Sequence, residues 1–246
     1  MDAAGQNLTL DQILSLLACG KMELIGQFVR GSNTTLLVQL KEGSHQIRAV
    51  YKPVKGEYPL FDFPDRTLAK RETAAYLLSE WLGWQLVPPT VFRKSGLLGA
   101  GSLQFYIEHD PNMHYFSMTA DERQRLKPVA LFDVMVNNAD RKGSHIVFDR
   151  SGKIWVIDHG VCFHVEEKLR TVIWDFDGEE IPVHLLADLE RAQSRLKRGG
   201  ELFECLHVYL SIAELRALEQ RIRILLKTRT YPLLPADRRA IPYPPL

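Results

Sequence analysis

The amino-acid sequence predicts an α+β fold in two lobes, an antiparallel five-stranded sheet with one helix followed by a mainly helical half. Three observations support this prediction. Short runs of β-branched and aromatic residues, separated by turns, fill most of the first lobe. Apolar residues at helical spacing dominate after residue 110. One short hairpin interrupts the helical half, and polar residues flank both of its strands.

The individual elements follow from the same patterns. Strands are predicted over 22–29, 35–40, 46–52, 90–93 and 102–108. Helices are predicted over 66–82, with Asp65 as the cap, and over 119–137, 185–198, 201–210 and 211–227. Residues 1–109 would therefore form an N-terminal helix and a strand-rich lobe, residues 110–230 a helical lobe, and residues 231–246 a Pro-rich tail, extended over the body or disordered.

Composition narrows the class of protein. The chain has 246 residues, 46% of them apolar, and a net charge of +1. This composition supports a buried core, and the small net charge gives no electrostatic reason to expect nucleic acid as a partner. The cysteines, Cys19, Cys162 and Cys205, are too widely spaced for a disulfide framework, which indicates a reducing compartment. We therefore expect a cytoplasmic protein, a monomer or weak oligomer, without a transmembrane segment.

Residues 1–20 predict a short amphipathic helix. Thr9 with Gln12 would form a capping box, and Gly20 would end the helix. The run before Cys19 loosely resembles a lipoprotein cleavage box, but it lacks the basic residues of a signal peptide, and Asp11 interrupts its apolar segment. The amphipathic helix is the simpler interpretation.

The stretch 137–163 contains the most chemically capable residues of the chain. A strand over 146–148, a turn, and a strand over 154–157 predict a hairpin. Asp140 and His145 precede the first strand and Asp158 follows the second, so we expect the hairpin to bring the three side chains together. Two carboxylates and an imidazole could hold a divalent cation and leave one carboxylate free as a base. An ordinary surface hairpin is the alternative interpretation.

The Asp-Arg pair that opens this stretch and the Asp-His-Gly that closes it resemble the catalytic and metal-binding loops of the protein-kinase-like superfamily. The sequence is most similar to the phosphatidylinositol 3-/4-kinase branch and to HipA-like bacterial kinases, and more narrowly resembles a bacterial family of unassigned role. The resemblance spans residues 24–188 and implies a two-lobed protein-kinase-like fold. It also implies that Asp140 is the catalytic base, that Arg141 or Lys142 offsets charge on the transferring group, and that Asp158 binds a metal ion.

His145 departs from the family pattern. Related kinases usually carry asparagine at this position as the second metal ligand. Imidazole is a softer ligand that suits Mn²⁺ or Zn²⁺ better than Mg²⁺. We therefore expect His145 to alter the metal preference, lower the activity or abolish catalysis. His159, inside Asp-His-Gly, also replaces a residue that is usually hydrophobic or asparagine.

Further matches lie in the strand-rich lobe, where the resemblance implies a nucleotide-binding role. The turn formed by Gly31, Ser32, Asn33 and Thr34 could present phosphate-binding donors, although a plain hairpin turn has the same composition.

Lys52 ends an apolar strand, in a Val-Tyr-Lys-Pro context similar to the strand that carries the ATP-binding lysine of phosphatidylinositol 4-kinases. A lysine is a mobile point charge suited to phosphates, but a solvated strand end is the commoner explanation. Glu72, on the following helix, would orient Lys52, or it would be exposed and paired with a basic neighbour. Glu108 and His109 fall where an interlobe hinge would hydrogen-bond adenine through its backbone.

The leading hypothesis is ATP-dependent phosphoryl transfer, with ATP and Mg²⁺ or Mn²⁺ bound between the lobes. Two alternatives keep the fold: a nucleotide-binding pseudokinase or scaffold, and an enzyme that transfers AMP. The acceptor hydroxyl, on a protein, small molecule or lipid, cannot be read from these motifs. The sequence has no basic amphipathic helix or polybasic patch, which favours a protein or small molecule over a lipid.

Overall fold

The computed structural model describes residues 8–29, 31 and 33–246. The strands are β1 (Lys21–Gln27), β2 (Leu36–Glu42), β3 (His45–Pro53), β4 (Thr90–Arg93), β5 (Gly101–Phe105), β6 (Ile146–Phe148) and β7 (Ile154–Val156). The α-helices are α1 (Leu10–Cys19), α2 (Leu68–Leu82), α3 (Ala120–Gln124), α4 (Lys127–Val136), α5 (Val183–Arg195), α6 (Glu201–His207) and α7 (Ile212–Thr228). Over these ranges, no helix combines the length and apolar character needed to span a membrane.

Five strands form one antiparallel sheet in the order β1-β2-β3-β5-β4, and β6 and β7 form a separate hairpin. The predicted α+β class with a five-stranded antiparallel sheet is confirmed. β3 lies at the centre of the sheet and alternates in burial, with Ile47, Ala49 and Tyr51 packed in an apolar core against α1. Because successive side chains of a strand point to opposite faces, Lys52 lies on the other face of the sheet.

α1 carries the predicted capping box. Thr9 Oγ1 accepts a hydrogen bond from Gln12 N (3.3 Å), and Gln12 Oε1 accepts one from Thr9 N (2.8 Å). Gly20 follows the last residue of the helix, as predicted. The helix covers the face of the sheet opposite to the one that carries Lys52.

α2 begins later than predicted and is not capped by Asp65. Arg66 has a positive φ of 63°, a left-handed conformation incompatible with an α-helix, so the helix begins at Leu68. Glu57 supplies the missing acceptor from outside the helix. Its carboxylate accepts hydrogen bonds from the backbone N–H groups of Leu68 (3.2 Å) and Ala69 (2.9 Å).

Two other elements differ from the prediction. The helix predicted over 119–137 is divided into α3 and α4, because Pro128 lacks a backbone N–H and begins a new helix in its first turn. The strand predicted over 102–108 ends at Phe105, and residues 106–109 form the connection to the helical lobe.

α2 is attached to the helical lobe as well as to the sheet. Its apolar residues share one large core with α4, α5, α6 and α7. Arg71 of α2 is fully buried, donates a hydrogen bond to the Cys162 carbonyl (2.6 Å) and pairs with Glu214 of α7. The helix that carries Glu72 therefore has a fixed position relative to both lobes.

Residues 231–246 are extended and lie against the helical lobe, which is the first of the two states predicted for the tail. Ala240 is buried, and its carbonyl accepts a hydrogen bond from Thr171 N (3.0 Å). Arg238 donates to the Leu169 carbonyl (2.7 Å) and pairs with Glu167.

Candidate active site

Lys52, Glu72 and Asp158 meet at the junction of the lobes. Lys52 Nζ pairs with Glu72 of α2 and lies 3.0 Å from Asp158 Oδ1, in the loop after β7. Burial alone would lower the pKa of Lys52, but the carboxylates of Asp158 and Glu72 outweigh burial and raise that pKa. The positive charge of Lys52 in turn holds the pKa of Asp158 far below its usual range. Both groups are therefore charged at neutral pH.

Glu72 is buried, with 3% of its surface exposed, which contradicts the alternative of a solvent-exposed glutamate. Its second carboxylate oxygen accepts a hydrogen bond from His159 N (3.0 Å). One buried carboxylate thus holds both the lysine of the sheet and the backbone next to Asp158.

Asp158 presents its carboxylate towards solvent. The residue has a positive φ of 62°, a conformation that aspartate adopts more readily than most residues. Its side chain is 48% exposed even though one oxygen contacts Lys52. A ligand from the cleft can therefore reach Asp158 without a change of the backbone.

Asp140 lies in the loop before β6, beside a second lysine. Its backbone N donates a hydrogen bond to the side-chain oxygen of Asn138 (3.0 Å), which fixes the direction of the loop. The carboxylate is 38% exposed and lies 3.4 Å from Lys142 Nζ. Partial burial raises the pKa of Asp140, while the positive charge of Lys142 opposes this shift.

Arg141 is completely buried, unlike its two neighbours. Its guanidinium pairs with both carboxylate oxygens of Asp133 and donates to the Ile157 carbonyl (2.7 Å). It also donates to His159 Nε2 (2.8 Å), so the proton of this imidazole is on Nδ1. Because it is buried, the guanidinium of Arg141 does not reach the cleft, where the predicted contact with a transferring group would take place. Its guanidinium instead joins the loop before β6 to the loop after β7.

Sequence reasoning missed Asp133 and Asn138. Asp133 is fully buried on α4, and Asn138 Nδ2 donates to it (3.1 Å) while Asn138 Oδ1 accepts from Asp140 N. The sequence did contain a signal for Asp133, because this residue lies among apolar residues whose spacing places them on the buried side of α4. A carboxylate on the buried side of a helix requires a buried cationic or hydrogen-bonding partner.

His145 faces Asp158 from the short 3₁₀ turn Gly143–His145. Burial is the main cause that lowers the pKa of His145 to about 4, so the ring is neutral at pH 7. Its Nδ1 accepts a hydrogen bond from Lys142 N (3.3 Å), which leaves the proton on Nε2. Nε2 lies 3.5 Å from Asp158 Oδ2.

The two predicted metal ligands, His145 and Asp158, could hold an ion that also has ligands from outside the protein, such as phosphate oxygens. Over the described ranges, no group of three or more His, Cys, Asp or Glu side chains is arranged to hold a metal ion by itself. Asp158 Oδ2 and His145 Nε2 are close enough to share one ion, and phosphate oxygens would complete its shell, as is usual for Mg²⁺. Ligation by His145 requires the proton to move to Nδ1 and the bond from Lys142 N to break.

In the turn between β1 and β2, two of the predicted phosphate-binding residues contact the loop after β3. Ser32 lies outside the described residues. Asn33 Oδ1 accepts a hydrogen bond from Tyr58 N (2.6 Å), and Thr34 N donates to the Gly56 carbonyl (2.9 Å), so these two groups hold the turn against the loop after β3. Gly31 has a φ of +116°, a backbone conformation that favours glycine.

Of the two predicted hinge residues, Glu108 links the lobes through its side chain. Glu108 pairs with Arg48 of β3 and with Arg150 of the β6–β7 turn (2.6 Å), and His109 Nδ1 donates to the Ile107 carbonyl (2.8 Å). Glu108, His109 and these arginines border a cavity of about 770 Å³. Arg48 and Lys52 lie on the same face of β3, roughly 13 Å apart along the strand. Neither Lys52 nor Asp158 lines this cavity, so a ligand that contacts them and Glu108 must extend beyond it.

No family model matches the sequence. The chain is 38% identical to "Protein Rv2133c" of Mycobacterium tuberculosis over an alignment of 281 positions, gaps included, and the match covers 99% of each protein. It is also 29% identical over 112 residues to the phosphatidylinositol 4-kinase gamma 4 of Oryza sativa subsp. japonica, which covers 38% of this chain and 20% of the rice protein.

The chain is also similar in fold to solved structures. The structure of hydra Fam20 with sugar matches 91% of this chain and 89% of its own, with a TM-score of 0.59 and 13% identity. The Golgi casein kinase with Mn/ADP bound matches 89% and 75%, with a TM-score of 0.57 and 14% identity. The Helicobacter pylori proinflammatory kinase CtkA matches 87% and 94%, with a TM-score of 0.51 and 10% identity.

At these identities the structural likeness shows the fold alone, and it confirms the predicted two-lobed, protein-kinase-like architecture. The likeness to the rice phosphatidylinositol 4-kinase gamma 4 covers 38% of the chain, so the narrower resemblance to phosphatidylinositol kinases is a partial one. By its identity and coverage, this chain belongs to the family of the Mycobacterium tuberculosis Protein Rv2133c.

Proposed function

We propose that this chain is an ATP-dependent phosphotransferase that moves the γ-phosphate to an acceptor hydroxyl. The observation that carries the proposal is the position of Lys52 Nζ, which contacts both Glu72 and Asp158. A lysine held at the surface of a cleft by one buried and one half-exposed carboxylate is suited to bind phosphate next to a metal ion.

In this proposal, the end of the cleft at Lys52 and Asp158 binds the phosphates and the metal ion, and the end at Glu108 and His109 binds the base. Lys52 binds the phosphates, while Asp158 with His145 holds Mg²⁺ or Mn²⁺. The metal ion, when bound, neutralises the negative charge that develops on the phosphate oxygens. Glu72 does not contact the nucleotide but fixes the direction of Lys52, and the cavity beside Glu108 and His109 accommodates the base.

Asp140 orients the acceptor hydroxyl and takes its proton. Its carboxylate is partly exposed, and burial raises its pKa, which makes it a better base than a free aspartate. Lys142, 3.4 Å away, offsets charge on the transferring group. Arg141 positions the loop through Asp133 and takes no part in the chemistry.

A nucleotide-binding protein without phosphoryl transfer is the second candidate. The observation that favours it is the hydrogen bond from Lys142 N to His145 Nδ1, because this bond holds the imidazole in the form that cannot ligate a metal ion through Nε2. In that form the Nε2–H group of His145 faces Asp158 Oδ2 at 3.5 Å and opposes the approach of a metal ion to that oxygen.

Labelled ATP separates these functions. We expect the pure protein to release or transfer the label of γ-labelled ATP faster with Mn²⁺ than with Mg²⁺, because imidazole suits the softer ion. Asp140→Ala should slow this reaction by about 10²- to 10⁴-fold, the usual contribution of a general base. Asp121→Ala, on the exposed first turn of α3, is the matched control and should retain the rate.

Other outcomes have defined meanings. Transfer of label from α-labelled ATP would show AMP transfer in place of phosphoryl transfer. ATP binding without either reaction would support the second candidate. An Asp140→Ala protein that retains the full rate would exclude Asp140 as the base.

A further inference from the structure

The last residues of the chain lie directly beside the candidate active site. We call residues 238–245 the C-terminal strap. Gly143, three residues after Asp140, donates its backbone N–H to the Pro245 carbonyl (2.8 Å), and Thr171 donates its backbone N–H to the Ala240 carbonyl (3.0 Å). The strap therefore contacts the catalytic loop at one end and the segment 167–174 at the other.

These two contact sites belong to one surface. Arg141 N donates to the Arg170 carbonyl (2.9 Å) and Val172 N donates to the Arg141 carbonyl (3.1 Å), so the loop containing Asp140 and the segment 167–174 run side by side. The strap is hydrogen-bonded to both of these segments. Asp140 itself stays 38% exposed, which means that the strap passes beside the carboxylate and does not cover it.

The strap is held in the way that proteins hold extended peptides. Ala240 and Pro242 are buried, whereas Ile241 and Tyr243 between and after them are exposed. This alternation is typical of an extended chain in a groove, and so are the hydrogen bonds that the main-chain carbonyls of the strap accept. In such complexes the backbone gives affinity and alternate side chains enter pockets. Trp174 Nε1 adds a second hydrogen bond to the Ala240 carbonyl (3.3 Å).

We propose that the groove formed by Gly143 and the segment 167–174 is a binding site for an extended polypeptide, which the strap of the same chain occupies in this structure. The inference deepens the proposed function and rests on it in one respect: a polypeptide in this groove would pass Asp140 and present its hydroxyl there. The groove offers the backbone N–H groups of Gly143 and Thr171 and the positions that bury Ala240 and Pro242, and such features recognise a peptide main chain. The acceptor class is therefore a polypeptide, and the strap competes with it.

The test releases the strap in the full-length chain. Ala240→Glu puts a charge into a buried pocket, whereas Ile241→Glu puts the same charge on the neighbouring exposed position. A labelled peptide of residues 236–246 should bind saturably to the Ala240→Glu protein, and about tenfold more weakly to the wild type and to Ile241→Glu, because burial of an unpaired charge displaces only the first strap. Fluorescence anisotropy measures this binding without any need for catalysis.

A second readout connects the groove to transfer. With γ-labelled ATP and a degenerate mixture of Ser-, Thr- and Tyr-containing peptides, the Ala240→Glu protein should transfer label several-fold faster than the wild type, with an unchanged KM for ATP. The strap peptide should inhibit this transfer in competition with the peptide mixture and not with ATP.

The outcomes are distinguishable. Absence of peptide binding to a folded Ala240→Glu protein, or equal binding to both glutamate variants, would show that the groove is not a binding site for a polypeptide. Transfer to phosphatidylinositol vesicles but not to peptides would overturn the polypeptide acceptor. Peptide binding without transfer by any variant would support the groove and contradict the proposed function. If circular dichroism shows that Ala240→Glu is unfolded, Arg238→Ala replaces it, because this variant removes only the contacts with Leu169 and Glu167.

Discussion

Lys52 connects residues that lie far apart in the sequence, since its partners are 20 and 106 positions away. Each partner controls a different property. The buried Glu72 fixes the direction of the ammonium group, and the half-exposed Asp158 leaves an oxygen free for a ligand. The two carboxylates keep the ammonium group of Lys52 charged, and Glu72 would still hold that group in place if a ligand displaced Asp158.

His145 gives the folded protein a specific sensitivity to acid. Its pKa is lowered from 6.5 to about 4, chiefly by burial, while in the unfolded chain it should return to its ordinary value. Between these values the unfolded state binds a proton that the folded state does not, so the free energy of unfolding falls as the pH falls through this window. The slope should reach about 1.4 kcal/mol per pH unit for this one group.

The measurement is urea unfolding between pH 4.5 and 7, compared between the wild type and His145→Asn. The variant should lose stability less steeply with falling pH, because asparagine binds no proton. His184→Asn, at an exposed position, is the control and should follow the wild type. Identical slopes for the wild type and His145→Asn would show that burial of His145 does not depress its pKa.

Among single residues, the motif residues could be predicted from the sequence, and the buried residues that hold them in place could not. Asp140, His145, Asp158, Lys52 and Glu72 could be found because their spacing follows the order of loops and strands in a known fold. Arg141 could not be distinguished from Lys142 as a charged residue in the same loop, since burial depends on Asp133, which lies on another element. The roles of these residues in catalysis stay predictions.

α2 illustrates which features of an element depend on local sequence. Its helical pattern was visible, and its end at Gly83 is a left-handed cap of the usual kind. Its beginning was not predictable, because the acceptor for its first N–H groups is Glu57, 11 residues before Leu68, and Arg66 adopts a left-handed conformation. By contrast, both capping boxes of α1 and α7 act within four residues and could be predicted from the sequence.

The ion pair between Arg71 and Glu214 should stabilise the attachment of α2 to the helical lobe. Arg71 is fully buried, so Glu214→Gln leaves a buried guanidinium without its counter-charge, which should lower the free energy of unfolding by about 3 kcal/mol. Glutamine retains the capping box with Ser211, so the change isolates the ion pair. Urea unfolding at pH 7 measures the effect.

Glu122→Gln provides the matched control for this variant. Glu122 occupies the same position in the capping box of α3, with Thr119 in place of Ser211, and no ion pair of Glu122 is present among the described residues. Its substitution should change the stability by less than about 0.5 kcal/mol, as is usual for surface positions. Equal effects of the two variants would mean that the Arg71 pair adds nothing to the capping contribution.

For the whole molecule, the two lobes are joined at opposite ends of the cleft. Glu108 connects Arg48 of the sheet to Arg150 of the hairpin at the outer end, and Lys52 connects the sheet to Asp158 at the inner end. The sequence predicted the order of the lobes and their secondary structure. It could not predict the interlobe arginine pairs or the path of the tail, because both depend on distances between segments that no local pattern encodes.

In the proposed function, a nucleoside triphosphate and its metal ion bind at Lys52 and Asp158. The most direct measurement is a crystal structure of the full-length protein with a non-hydrolysable ATP analogue and Mn²⁺, located by its anomalous scattering. We expect Mn²⁺ bonded to Asp158, the triphosphate in contact with Lys52 Nζ, and the base beside residues 106–109. Saturating nucleotide bound elsewhere, with Lys52 still paired to Asp158 and no metal ion beside it, would contradict this account.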